Sequence, residues 1–118
     1  MVDDDRSVLG LVQRTLQSAG YNVVTAGGGW HAVDTYEAST EPIHLLLTDV
    51  VMPDLTGPVL ARKLLACQPD LPVLFISGYH DPSLLREFEG TPSVGMLSKP
   101  FESQGLLWAV ASLLQRTD

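Results

Sequence analysis

The sequence predicts an α/β fold in which a doubly wound parallel sheet of five strands is covered by helices on both faces. Three observations carry that prediction. Short apolar runs alternate with stretches whose apolar residues recur at helical spacing, and right-handed crossovers between parallel strands place such helices on the two sheet faces. The runs at 43–48 and 73–76 are apolar at nearly every position, as strands covered on both sides must be. Several runs also end on a polar residue, at the edge of the sheet where open α/β folds bind ligands.

Each element follows in chain order. Val8, Leu11, Val12, Leu16 and Ala19 recur at helical spacing, with Ser7 placed to cap the helix start and Gly20 to stop it. Tyr21 to Ala26 is short and β-branched, Gly27-Gly28-Gly29 breaks it, and Trp30 to Ala38 forms a second helix. Ile43 to Thr48 reads as a strand that delivers Asp49 at its C-terminal end. After a turn rich in Pro53, Asp54 and Gly57, the positions Leu60, Ala61, Leu64 and Leu65 mark a third helix. Val73 to Ile76 is the next strand and ends at Ser77-Gly78, followed by a polar helix from about Asp81 or Pro82 to Phe88. Val94 to Leu97 is the last strand, and Leu106, Leu107, Val110, Leu113 and Leu114 line one face of the final helix.

The chain of 118 residues suits one domain spanning 1–118. Seven Lys and Arg against fourteen Asp and Glu give a net charge of −7, which argues against direct nucleic-acid binding, because affinity for a phosphate backbone rests on clustered cations. No apolar run approaches the ~20 residues that span a bilayer, so no membrane insertion is expected and the cytoplasm is the default compartment. Cys67 stands alone and is expected to be a buried or half-buried small residue. Met1-Val2 supplies only two residues where a central strand normally has about five, so the first strand is expected to be cut short at its N-terminus.

The polar residues at the strand ends are Asp3, Asp4 and Asp5 after Val2, then Asp49, Ser77 and Lys99. Carboxylates brought together repel one another unless a cation compensates, and an all-oxygen site with few protein ligands suits Mg²⁺. Phosphoryl transfer to a carboxylate needs that nucleophile, a metal and further donors for the phosphoryl oxygens, which is the kit these residues supply. Each alone has a plainer reading: an acidic helix start, a turn serine, a solvent-exposed lysine. Only their convergence makes them a site. His31, His44 and His80 share no ligand spacing, with His44 inside a strand, and Trp30 and Trp108 read as packing residues. Gly27-Gly28-Gly29 reads as a turn, since no Lys-Ser/Thr pair follows in a phosphate-loop frame.

The segment from Leu45 to Gly57, LLLTDVVMPDLTG, closely resembles the phosphoacceptor segment of response-regulator receiver domains. Val2-Asp3-Asp4-Asp5, Phe75-Ile76-Ser77-Gly78-Tyr79 and Ser98-Lys99-Pro100-Phe101 resemble the family's other three motifs, in the same order and spacing. The resemblance implies a flavodoxin-like (βα)5 topology with strand order 2-1-3-4-5. It makes Asp49 the phosphorylated residue, with Mg²⁺ held by Asp3, Asp4, Asp49 and the backbone carbonyl of Val51. Ser77 takes the position of the hydroxyl that closes onto the phosphoryl group and Lys99 that of its pairing cation, aimed by a cis Lys99-Pro100 bond. The implied partners are a histidine kinase or histidine phosphotransfer domain as donor and a downstream output protein or domain as reader. The wording of the motifs most resembles the receivers of hybrid sensor histidine kinases.

One position departs from the family pattern. Three residues before Lys99, where an aromatic usually serves as the conformational readout, the chain has Met96. The alternative function is therefore a receiver-like interaction module that works without phosphorylation. A haloacid dehalogenase-type phosphatase would need a second acid where Val51 stands, and a flavodoxin-like electron carrier would have its flavin phosphate repelled by the acidic first loop.

Overall fold

The computed structural model describes residues 1–78, 86–88 and 93–115. Along the chain run helix α1 (Arg6–Ser18), helix α2 (Gly29–Ala38), strand β1 (Leu46–Asp49), helix α3 (Gly57–Cys67), strand β2 (Val73–Ser77), strand β3 (Val94–Ser98) and helix α4 (Ser103–Gln115). The fold class is as predicted, an α/β domain with helices on both faces of a parallel sheet.

Among the described residues the sheet has three strands in the order β1-β2-β3, all parallel. Two isolated parallel bridges extend it, from Val2 to Thr48 on one side and to Ala26 on the other. The predicted strand Tyr21–Ala26 is represented by that single bridge at Ala26, and the strand predicted from Ile43 begins only at Leu46. His44 consequently lies ahead of the strand and is exposed.

Side-chain alternation divides the core into two layers. Leu46, Val73 and Phe75 point to a cluster with Leu60, Ala61 and Leu64 of α3 and Ala32 of α2. Leu47, Leu74 and Ile76 point the other way, to Val12 and Leu16 of α1 and Leu106, Val110 and Leu113 of α4. Strands that bury both faces have no polar alternation, which is why their sequences read as continuous apolar runs.

Helix α1 starts two residues earlier than its apolar pattern suggests. The Asp5 carboxylate accepts the backbone N–H groups of Ser7 and Val8 at 2.9 and 3.4 Å, so Asp5 and not Ser7 caps it. Gly20, with φ of 96°, ends it as predicted, in a conformation that glycine adopts most cheaply. The polar helix predicted near 81–88 lies mostly outside the described residues, of which Arg86 and Glu87 are helical.

Three burial expectations are corrected. Cys67 occupies the last, outward-facing turn of α3 and is exposed. Trp30 and Trp108 are 50% and 74% exposed and are surface residues, Trp30 having the Lys63 ammonium 5.1 Å from its ring centroid. Helical position alone does not say which side of the helix meets the sheet. No helix among the described residues is long and apolar enough to cross a membrane.

Candidate functional site

Backbone hydrogen bonds at the carboxyl edge of the sheet bring the polar residues together. Asp49 donates its N–H to the Val2 carbonyl at 2.9 Å, and Val50 donates to Ile76 at 3.1 Å. Lys99 donates to the Ser77 carbonyl at 2.7 Å. The ends of the Val2 segment, β1, β2 and β3 are thus held level, and Asp3, Asp49, Ser77 and Lys99 stand at that edge.

The carboxylates of Asp3, Asp4 and Asp49 each place an oxygen within 4.8 Å of the others. Asp3 is fully buried, Asp49 nearly so, and Asp4 faces solvent. Lys99 Nζ lies 3.2 Å from Asp3 Oδ2 and 3.5 Å from Asp49 Oδ2. Asp3 also accepts the Asp5 N–H at 2.9 Å, and Asp49 accepts that of Val50 at 2.9 Å. One partly buried cation therefore stands against three close carboxylates.

The electrostatics follow from that imbalance. Burial raises the Asp3 pKa above the usual carboxylate value, and the nearby Asp49 charge adds to the rise against the lowering effects of the Asp5 N–H and Lys99. Burial alone would lower the Lys99 pKa, but attraction to Asp3 and Asp49, with hydrogen bonds to both, outweighs it and raises the value. The donor set is all oxygen and carries excess negative charge, which fits a hard divalent cation.

Ser77 is buried at the end of β2, in register with Ser98. Val51 follows Asp49 by two positions and is 61% exposed, at the start of the loop that leads to α3. The Lys99-Pro100 bond is cis. Met96 lies in β3 beside Phe75 of β2 and is half-buried against the α2/α3 side of the core. Asp3, Asp4, Asp49, Val51, Ser77 and Lys99 thus lie on the strand ends or the loops leading from them, whereas Met96 lies within β3.

Two features of the β1–α3 loop escaped the sequence reading. Gly57 donates its N–H to Val50 at 2.9 Å, closing the loop on itself, and a Cβ there would lie 2.1 Å from the Asp49 carbonyl oxygen. Only glycine allows that approach. Asp54 reaches across to α2, accepting the N–H of Gly29 on Oδ1 and of Trp30 on Oδ2, each at 3.1 Å. Its only sequence signal was the lack of a capping side chain among Gly27-Gly28-Gly29.

Fold and site together define an α/β domain with an acidic, cation-favouring pocket at the carboxyl edge of a parallel sheet. The family model "Response regulator receiver domain" matches residues 1–111, and the chain belongs to that family. It is 32% identical over 114 residues to the response regulator receiver protein CpdR of Brucella abortus, covering 97% of this chain and 93% of that protein. It is also 34% identical over its whole length to the sensor kinase CckA of the same organism, of which it spans 12%. Among solved structures, the Vibrio cholerae chemotaxis protein CheY4 superposes with a TM-score of 0.86 at 29% identity, covering 95% of this chain and 93% of that one. The chain is therefore a receiver domain of two-component signalling with a CheY-like flavodoxin fold, and its relatives include hybrid-kinase receivers. Receiver domains are signalling switches and bind Mg²⁺ at an acidic pocket, here matched by the group of three aspartates.

Proposed function

We infer that the chain is a phospho-accepting switch in a phosphorelay, with Asp49 as the acceptor. The observation that carries this reading is the meeting of three carboxylates and one lysine at the sheet edge. A carboxylate oxygen of Asp49 attacks the phosphorus of a phosphohistidine on a histidine kinase or histidine phosphotransfer domain. The P–O bond forms as the P–N bond breaks, and the imidazole leaves with its electron pair and takes a proton from solvent. Asp3, Asp4, Asp49 and the Val51 carbonyl are the residues to hold Mg²⁺, which when bound supplies positive charge against the phosphoryl oxygens. Lys99, already held between Asp3 and Asp49, is placed to pair with the new charge, and Ser77 to donate its hydroxyl to a phosphoryl oxygen. A downstream output protein or domain reads the change. The domain occupies 1–118 as one unit, works in the cytoplasm, and is a switch that assists its own phosphorylation rather than a dedicated enzyme.

Incubation with acetyl phosphate and Mg²⁺ followed by intact-mass measurement tests this directly. A base-labile adduct of about 80 Da that fails to form in EDTA is the expected result. No adduct under any condition of pH, metal or donor would favour the phosphorylation-independent interaction module.

The same reading extends to the sheet. The two bridges of Val2 support a five-stranded order 2-1-3-4-5, with Val2 in the first strand, Ala26 in the second and β1, β2 and β3 as the third to fifth.

A further inference from the structure

We propose that Asp54 is a positioning residue that holds the acceptor loop in its metal-binding shape by latching it to the start of α2; this rests on the Mg²⁺ reading of the site. Helix α2 has no cap of its own, because its N-cap position is Gly28 and makes no side-chain hydrogen bond. The cap comes from 25 residues away, as the two Asp54 oxygens accept the N–H groups of Gly29 and Trp30 at 3.1 Å each. A helix N-terminus favours an anion there, and these hydrogen bonds hold the Asp54 pKa below the usual carboxylate value.

The latch is a seat shaped for the loop. A Cβ on Gly29 would lie 2.4 Å from Leu55 Cβ and 2.9 Å from the Leu55 carbonyl oxygen, so residue 55 presses against bare helix backbone. At the other end, Gly57 ties back to Val50 at 2.9 Å. Between these two ties runs the segment that begins with Val51, whose carbonyl is assigned to the metal. Asp54 is exposed and lies outside both core clusters, so its conspicuous task is to fix this loop against α2.

The test separates loop positioning from helix capping. Asp54→Ala removes both. Gly28→Ser/Asp54→Ala returns a local cap to α2 without the latch: Gly28 is extended (φ −173°, ψ 171°), and the Asp54 carboxylate atoms that would sit 3.1 to 3.3 Å from a new Cβ are gone. Glu37→Gly weakens α2 at an exposed position and leaves the latch whole. Mg²⁺ affinity is read by titration calorimetry, stability by thermal melting, and the acetyl phosphate reaction as a function of Mg²⁺ concentration.

Both proteins lacking Asp54 are expected to bind Mg²⁺ about tenfold more weakly, the usual scale for losing a group that orients a metal ligand, while Glu37→Gly binds as wild type does. Their adduct rate at saturating Mg²⁺ is expected to stay within about twofold of wild type. Metal affinity that instead tracks melting temperature across the three variants reduces Asp54 to a helix cap and overturns the proposal, as does unchanged affinity in Asp54→Ala. Wild-type protein that binds no Mg²⁺ refutes the reading of the site itself, a different outcome from wild type and Asp54→Ala binding equally.

Discussion

Asp49→Asn is expected to abolish the phosphoryl adduct and, in metal-free buffer at neutral pH, to stabilise the domain by about 1 kcal/mol. The loss follows from chemistry, since an amide is not the nucleophile that a carboxylate is. The gain follows from charge. Two carboxylates about 5 Å apart repel by roughly 3 kcal/mol at an effective dielectric constant near 20, and Asp49 has both Asp3 and Asp4 within that range. Against this stands its attraction to Lys99 at 3.5 Å, which the substitution also removes. Lys99 keeps its closer partner, Asp3 at 3.2 Å, and the side-chain oxygen of Asn can still accept the Val50 N–H, so neither is orphaned. Urea denaturation in EDTA measures the difference. Adding Mg²⁺ should then narrow or reverse it, because a ligand stabilises the protein that binds it more tightly, and the variant has lost one ligand charge. An adduct that survives the substitution would move the acceptor to another residue.

The parts of this molecule that were legible in the sequence are those governed by burial and by strand ends. Leu46, Leu47, Val73 and Phe75 announce a strand covered on both faces because each must be apolar whichever way it points. Asp49, Ser77 and Lys99 stand out because each interrupts or ends such a run. What was not legible depends on partners distant in sequence. Nothing near Asp54 says that it caps a helix 25 residues earlier, and nothing near Gly57 says that the Asp49 carbonyl lies where a methyl group would be. Ser7 looked like the cap of α1 because Ser and Asp are both good caps, and only the backbone path decides for Asp5. The exposed faces of Trp30, Trp108 and Cys67 were misread for a related reason: residue type reports a preference for burial, whereas helix orientation decides it.

Lys99→Met is expected to produce the opposite thermodynamic result to Asp49→Asn, destabilising the metal-free domain by about 2 kcal/mol at pH 7. Removing one partner of a fully buried pair costs about 3 to 5 kcal/mol, and the 27% exposure of the lysine side chain softens that figure. Of the two carboxylates left behind, Asp3 is the more deeply buried and the closer to Lys99, and it keeps the hydrogen bond from the Asp5 N–H. The pH dependence has a definite sign on each side. The Lys99 pKa is raised on folding, so its contribution is present below the ordinary lysine pKa of about 10.4 and is lost only as pH rises through the higher folded value. The Asp3 pKa is also raised, so the folded state holds its proton more tightly, and stability falls as pH rises from the unfolded carboxylate range through the folded value. Without Lys99 that fall is steeper. The gap between wild type and variant should therefore be small where Asp3 is protonated, open as pH rises through its titration, and stay level to about pH 9. Urea melts in EDTA from pH 4 upward trace this profile, and a gap already fully open at the acid end would show that Asp3 is not the charge that Lys99 compensates.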